Sequence, residues 1–86
     1  MKYRKFIVIA RDFYREHPPI RYEIMACDRE DAMSRVSVKD HIKEVLDVST
    51  QVIWNKETVI KYWKIYSETV DESRITEEYL NYTPLR

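Results

Sequence analysis

The feature that most constrains this 86-residue chain is the complete absence of glycine. At an average usage of about 7%, about six glycines would be expected in a chain of this length. Glycine adopts positive φ angles without strain and lets a backbone approach a phosphate closely. Phosphate-binding loops, dinucleotide-binding fingerprints and the nucleophile elbow of α/β-hydrolases all require it, so the sequence excludes these sites. The turns must therefore be built on proline, asparagine and short polar residues.

Length and composition indicate one small globular domain over residues 1–86. The chain is 44% apolar and 35% charged, which is apolar enough for a core and too apolar for a disordered chain. A domain of this size buries only about 60–65% of the surface of its unfolded chain, so its margin of stability is thin. Association into a homodimer would add to that margin.

Cysteine usage and hydropathy bear on the compartment. Cys27 is the only cysteine, which excludes a disulfide within the chain and favours a reducing, cytoplasmic compartment. The apolar run that starts at Phe6 stops after five residues, which is shorter than the apolar core of a secretion signal. No stretch approaches the roughly 18 apolar residues of a membrane span, so we expect no membrane partner.

The periodicity of apolar residues predicts an α+β fold. Residues 3–11 and 20–27 alternate as strands, and the polar, proline-ended segment between them predicts a hairpin with a long tip. Asp28 is a helix N-cap type, and we expect a helix over 29–44 with a break near Ser37. Alternation returns over 46–54, which predicts a third strand. The result is a ββαβ unit, a small antiparallel sheet packed by one helix.

Residues 57–70 set two signals against each other. The β-branched and aromatic residue types favour a strand. The spacing favours a helix, because the charged residues fall on one helical face and the apolar residues lie opposite, at Val59, Trp63, Tyr66 and Val70. Following the spacing, we expect a second helix here, with Asn55 before it as a turn or an N-cap, and a last helical turn capped by Thr76.

No pattern indicates catalysis, a metal or a cofactor. Cys27 and His41 are of the types found in thiol nucleophile pairs, but Asp28 and Asp31 close to the cysteine would suppress its thiolate. His17 and His41 do not stand at the spacings that place metal ligands on one turn or one helix face. We therefore expect a non-enzymatic protein with no cofactor and no metal.

Two kinds of partner remain open. The first 25 residues carry a net charge of +3, and their basic and aromatic side chains would suit a nucleic acid. Against this, the whole chain is neutral, and a glycine-free chain cannot carry the RNA-binding motif of RRM domains. Aromatic residues make up 13% of the chain, more than one small core hides, and such residues carry binding energy at protein interfaces. The leading expectation is therefore a protein partner.

The residues expected to bind that partner are an aromatic set and two arginines: Tyr14, Tyr22, Tyr62, Arg11 and Arg21. In general character the chain resembles the small accessory proteins of bacteriophages and mobile elements, which are short, motif-free, aromatic and charged. That resemblance implies an inhibitor that binds and blocks a larger host factor. A nucleic-acid-binding protein that uses the basic aromatic N-terminal hairpin is the alternative.

Overall fold

A computed structural model describes residues 2–12, 14–37 and 42–82 of the chain. Within these ranges the elements follow in the order β1 (Arg4–Asp12), β2 (Ile20–Ala26), α1 (Arg29–Ser37), β3 (Ile42–Ser49), α2 (Lys56–Tyr66) and α3 (Glu77–Asn81), with a 3-10 turn at Glu72–Arg74 before α3. The three strands form one sheet in the order β2-β1-β3, and both pairings are antiparallel. The predicted α+β class and the hairpin of the first two strands are confirmed.

One face of the sheet packs against α1. In the register of β1 and β2, Phe6 lies opposite Ile24 and Val8 opposite Tyr22, and all four side chains are buried. α1 lies over them because β2 and β3 run in the same direction on either side of β1, and the connection between them must cross the sheet. The helix contributes Ala32 and Val36 to this core, and Val48 adds the contribution of β3.

The other face of the sheet is joined to α2 by a hydrogen bond. Ile7 and Ile9 of β1 point to this side and are 3% and 0% exposed. The hydroxyl of Tyr62 donates to Asp47 Oδ2 of β3 at 2.6 Å, which ties the helix to the sheet. A second core beside this face is formed by Val59, Trp63, Tyr66 and Ile75. The apolar residues on both faces of the first strand are thus explained by cover on both sides.

α1 begins where the sequence predicts and ends earlier. Asp28 Oδ1 accepts from the backbone N–H of Asp31 at 2.8 Å, and Asp31 Oδ2 accepts from the N–H of Cys27 at 2.9 Å, so the two carboxylates cap the first turn. The helix ends at Ser37, and residues 42–44 lie in β3. The prediction of helix to residue 44 is wrong there; residues 38–41 lie outside the described residues.

The third strand is also displaced from its prediction, from 46–54 to Ile42–Ser49. Its alternation is interrupted by a bulge: Ile9 pairs with Asp47 and Ala10 with Val45, so Leu46 is an extra residue opposite β1, and a second register shift lies between Arg11 and Asp12. Strict alternation would place Leu46 and Val48 on one face. With the bulge, Val45 and Val48 both pack towards α1, and Leu46 packs against the second core.

α2 confirms the reading by periodicity over Lys56–Tyr66. Of the two roles predicted for Asn55, a turn or an N-cap, the structure shows the N-cap: its Oδ1 accepts from the N–H of Thr58 at 3.0 Å. The buried face of the helix consists of Val59, Trp63 and Tyr66. The helix ends at Tyr66, four residues short of the prediction. Thr76 caps α3 as predicted, with Oγ1 accepting from the N–H of Tyr79 at 3.1 Å.

Across the described ranges, no helix is long and apolar enough to cross a membrane.

Candidate partner-binding site

The connection between β1 and β2 is fastened to the C-terminal half of the chain through its own carbonyl groups. The indole N–H of Trp63 donates to the carbonyl of Arg15 at 3.0 Å, and the hydroxyl of Tyr66 donates to that of His17 at 2.6 Å. Two further side chains bind the loop in the same way. Arg74 Nη1 donates to the carbonyl of Glu16 at 2.8 Å, and the hydroxyl of Tyr79 donates to the carbonyl of Pro19. We call residues 14–19, held by these four bonds, the clamped loop.

The loop is also braced from within by Asp12. Its Oδ1 accepts from the N–H of Tyr14 at 2.9 Å, and its Oδ2 lies 2.8 Å from Nδ1 of His17. A backbone bond from the N–H of His17 to the carbonyl of Tyr14 closes the turn at 3.2 Å. This matters because Pro18 and Pro19 lack an N–H and cannot extend the sheet ladder. The loop therefore takes its order from side chains.

The donors of the clamp stay protonated at neutral pH. Burial raises the pKa of the Tyr66 hydroxyl, and the nearby carboxylate of Asp12 raises it further, while Arg11 opposes the shift. Burial likewise raises the pKa of Tyr79, with a smaller contribution from Tyr66. Because only a protonated hydroxyl can donate, both tyrosines keep the proton that these bonds require throughout the physiological range.

The clamp holds the backbone of the loop inward; the side chains of residues 14–16 remain at the surface, whereas His17 and Pro18 are partly buried and Pro19 is buried. Tyr14 is 56% exposed, and the side chains of Arg15 and Glu16 are also exposed. The ring of Tyr14 lies 5.2 Å from the ring of His17, centroid to centroid. The loop thus presents an aromatic residue followed by two charged residues, Arg15 and Glu16, on a backbone held by hydrogen bonds.

An open cavity of about 320 Å³ lies next to the clamped loop. It borders the end of β1, the start of β2 and the C-terminal segment that follows α2. Its lining is rich in aromatic and arginine side chains: Asp12, His17, Pro18, Ile20, Arg21, Tyr22, Trp54, Arg74, Tyr79 and Tyr82. Tyr79 and Arg74 thus serve both as clamp donors and as cavity walls.

The three tyrosines predicted as partner contacts occupy different environments. Tyr14 is exposed on the clamped loop. Tyr22 is 0% exposed and packs in the core beneath α1, so the expectation that it is an exposed anchor is wrong. Tyr62 is half-buried, and burial together with the carboxylate of Asp47 raises its pKa to about 12. A role for any of them in binding stays a prediction.

The predicted basic residues of the hairpin lie against acidic partners. Arg11 Nε lies 2.8 Å from Glu44 Oε1, and its guanidinium also covers the ring of Tyr66 at 5.4 Å. Arg21 Nη2 lies 3.4 Å from Glu23 Oε1, and the Nζ of Lys5 lies 3.9 Å from the same oxygen. These ion pairs oppose the use of the three cations for neutralising phosphates, which a nucleic-acid surface requires.

Cys27 gives no sign of reactivity. Burial raises the pKa of its thiol, and the neighbouring carboxylate of Asp31 raises it further. A high pKa keeps the thiol protonated and weakly nucleophilic. Among residues 2–12, 14–37 and 42–82, no group of three or more His, Cys, Asp or Glu side chains is placed to hold a metal ion.

Sequence reasoning did not identify the clamp residues as a group. The helical spacing places Trp63 and Tyr66 on the apolar face, and both are buried, but the spacing assigns no acceptor to the indole N–H or the phenol hydroxyl. The available signal was general: a buried indole or phenol needs an acceptor, and a proline-containing loop offers carbonyls that no strand uses.

Comparison with known proteins found no matching family model, no similar curated protein and no similar solved structure.

Proposed function

We propose that the protein is a non-enzymatic protein-binding module and that the clamped loop is the centre of its interface. The observation that carries this proposal is the set of four side-chain bonds to the carbonyls of Arg15, Glu16, His17 and Pro19. A loop that is already ordered loses little conformational entropy on binding, so more of the contact energy appears as affinity.

The side chains that the loop presents are of the kinds that dominate interfaces. Tyr14 offers a large rigid surface with a polar tip, and Arg15 offers a cation with several donors. Both are exposed at the turn, where they would reach a partner first. The finer form of the proposal, which follows the sequence analysis, is an accessory protein of phage or mobile-element type that inhibits a larger host factor in the cytoplasm.

The test is a comparative capture with the full chain as bait in cell lysate, treated with nuclease and analysed by mass spectrometry. Three baits are compared: the unaltered chain, Tyr14→Ala and Tyr3→Ala. Tyr3 is a matched control because it is 55% exposed, against 56% for Tyr14, and does not belong to the loop. A partner that uses the loop is retained by the unaltered chain and Tyr3→Ala and is depleted with Tyr14→Ala.

The captured protein is then purified and its affinity for each variant is measured by calorimetry. We expect Tyr14→Ala to weaken binding by about 2 kcal/mol or more, the size of a hot-spot loss, and Tyr3→Ala to leave it within a few-fold. Equal binding by all three variants would remove the loop from the interface. Loss of every captured protein on nuclease treatment would instead support the alternative, a nucleic-acid-binding hairpin.

Self-association is tested separately by light scattering on the purified protein. The homodimer expected from the small core predicts a mass twice that of the chain. A mass that stays at 10.6 kDa over the accessible concentration range would contradict it.

A further inference from the structure

The cavity beside the clamped loop has fixed aromatic walls. The ring of Trp54 lies 6.2 Å from that of Tyr79 and 6.4 Å from that of Tyr62, and the hydroxyl of Tyr79 is bound to the carbonyl of Pro19. Tyr82, at 65% exposure, forms an outer wall. A volume of about 320 Å³ is at the lower end of the range for ligand sites, which suits one large side chain with its neighbouring backbone.

The charged groups of the lining favour an anionic ligand. Two guanidinium groups, those of Arg21 and Arg74, border the cavity together with one carboxylate, that of Asp12. Arg21 forms an ion pair with Glu23, and Asp12 lies near His17. Arg74 acts electrostatically on the nearby carboxylate of Asp71 but forms no ion pair of 4 Å or less within the described ranges, so it carries most of the argument. Its bond to the loop uses one donor of the five that a guanidinium has, and a carboxylate is the acceptor that such a group binds most strongly.

We infer that the cavity binds an acidic segment of the partner protein, with an aromatic or large aliphatic side chain between Trp54 and Tyr82 and an adjacent Glu or Asp carboxylate on Arg74. The inference rests on the proposed function, since it names the class of segment that the module takes. An internal segment fits better than a nucleotide, because a phosphate offers the carboxylate of Asp12 no donor. The same carboxylate can accept from the peptide N–H groups of an internal segment.

The probes are two capped dipeptides, N-acetyl-Phe-Glu-amide and N-acetyl-Phe-Gln-amide, which have nearly the same shape and differ by one charge. Binding is followed at low ionic strength by the fluorescence of Trp54, because Trp63 is 0% exposed, and by NMR shifts mapped on the cavity. We expect the Glu peptide to bind about five- to tenfold more tightly, the gain from one charge-assisted hydrogen bond. Added salt should reduce this ratio.

Variants test separately the aromatic contact at Tyr82 and the carboxylate contact at Arg74. Tyr82→Ala should weaken both peptides, and Ile65→Ala, an exposed residue of α2 outside the lining, should weaken neither. Arg74→Gln should abolish the preference for the Glu peptide, and Arg74→Lys, which keeps the charge, should restore most of it. A preference that is unchanged in Arg74→Gln would overturn the assignment of the carboxylate to Arg74.

Other outcomes are decisive against the inference. Equal affinity for the Glu and Gln peptides, or no shift in the cavity with either, overturns it. Tighter binding of N-acetyl-phenylalanine with a free carboxylate would make the ligand a chain terminus, and tighter binding of adenosine monophosphate would make it a nucleotide. A failed peptide titration leaves the effect of Tyr14→Ala on partner capture intact, so failure of the cavity and failure of the loop are distinguishable.

Discussion

Tyr66→Phe removes a single oxygen from the clamp and isolates its energetic role. The ring is 7% exposed and would stay in place beneath the guanidinium of Arg11, so the change deletes only the 2.6 Å bond to the carbonyl of His17. A hydrogen bond contributes about 1 kcal/mol net to the free energy of unfolding. If water does not replace the lost hydroxyl, the carbonyl of His17 is left without a donor and the loss approaches about 2 kcal/mol. For a domain of this size, 1 kcal/mol lowers the melting temperature by about 4–8 °C.

Hydrogen exchange distinguishes a clamp from a merely stabilising bond. The amide of His17 donates within the loop, to the carbonyl of Tyr14, so its exchange reports loop opening. A loss of about 1 kcal/mol in the closed loop should speed this exchange about fivefold. Tyr62→Phe is the matched control: it lies one turn earlier on α2 and also loses a 2.6 Å hydroxyl bond, but that bond goes to Asp47 in the sheet.

We therefore expect both variants to lose stability and only Tyr66→Phe to speed exchange at His17. Exchange and urea denaturation are measured on the same samples, so that global unfolding can be subtracted. Equal acceleration in both variants would mean that the loop opens only when the whole domain unfolds. No acceleration in Tyr66→Phe would show that the remaining bonds hold the loop without this one.

Two further predictions concern the helix start and the tyrosines. Asp28→Ala removes the acceptor for the N–H of Asp31 and should lower the free energy of unfolding by about 1 kcal/mol in urea titration; an unchanged midpoint would deny it the role of a cap. Burial is the main cause that raises the pKa of Tyr62, to about 12, and it also raises the pKa values of Tyr66 and Tyr79. In the unfolded chain a tyrosine ionises near pH 10. The stability that these shifts contribute is complete below about pH 10 and is lost as the pH rises through the pKa values of the folded protein. Urea titrations above pH 10 should therefore show a free energy of unfolding that falls with pH, and falls less steeply in Tyr62→Phe. Identical slopes in the two proteins would contradict the pKa shift of Tyr62.

The predictable parts of the fold are those that depend on the spacing of apolar residues and on cap residues close together in the sequence. Alternation located the hairpin strands to within about a residue, and helical spacing overrode residue type for α2. That choice was correct because tertiary packing of Trp63 and Tyr66 outweighs the weak strand preference of aromatic residues. Side-chain caps at Asp28, Asn55 and Thr76 marked helix starts for the same local reason.

The sequence contains no comparable local signal for the end of α1. Helices often end at a glycine, and a chain without glycine lacks that signal. The apolar residues at Val38, Ile42, Val45 and Leu46 form a stripe in the sequence that favours continuation of the helix to residue 44. In the structure Ile42 and Val45 pack from β3 against the core beneath α1, so the stripe belongs in part to a strand that faces the same core.

The candidate site was beyond sequence reasoning because its contacts are distant. The four clamp bonds join residues 48 to 60 positions apart, and no periodicity links a loop carbonyl to a donor at that distance. Composition did indicate an excess of aromatic residues. Composition does not indicate whether the N–H and hydroxyl groups of these aromatic residues bind a partner or the protein itself. In Trp63, Tyr66 and Tyr79 these groups donate to the clamped loop.

Deleting Leu46 tests why the third strand was misplaced. In the observed register Val45 and Asp47 pair with the consecutive residues Ala10 and Ile9. Removing Leu46 therefore makes the pairing regular from Ile7 to Arg11 without sliding either part of β3, and the second register shift, between Arg11 and Asp12, stays as it is. The change should cost only the burial of one partly exposed leucine, about 1–2 kcal/mol, and should match Leu46→Ala in urea denaturation. NMR contacts between Val45 and the core beneath α1 should persist in the deletion variant. If the deletion unfolds the chain while Leu46→Ala folds, the sheet needs the bulge itself, for its twist, and Leu46 is more than an extra residue that fills the second core.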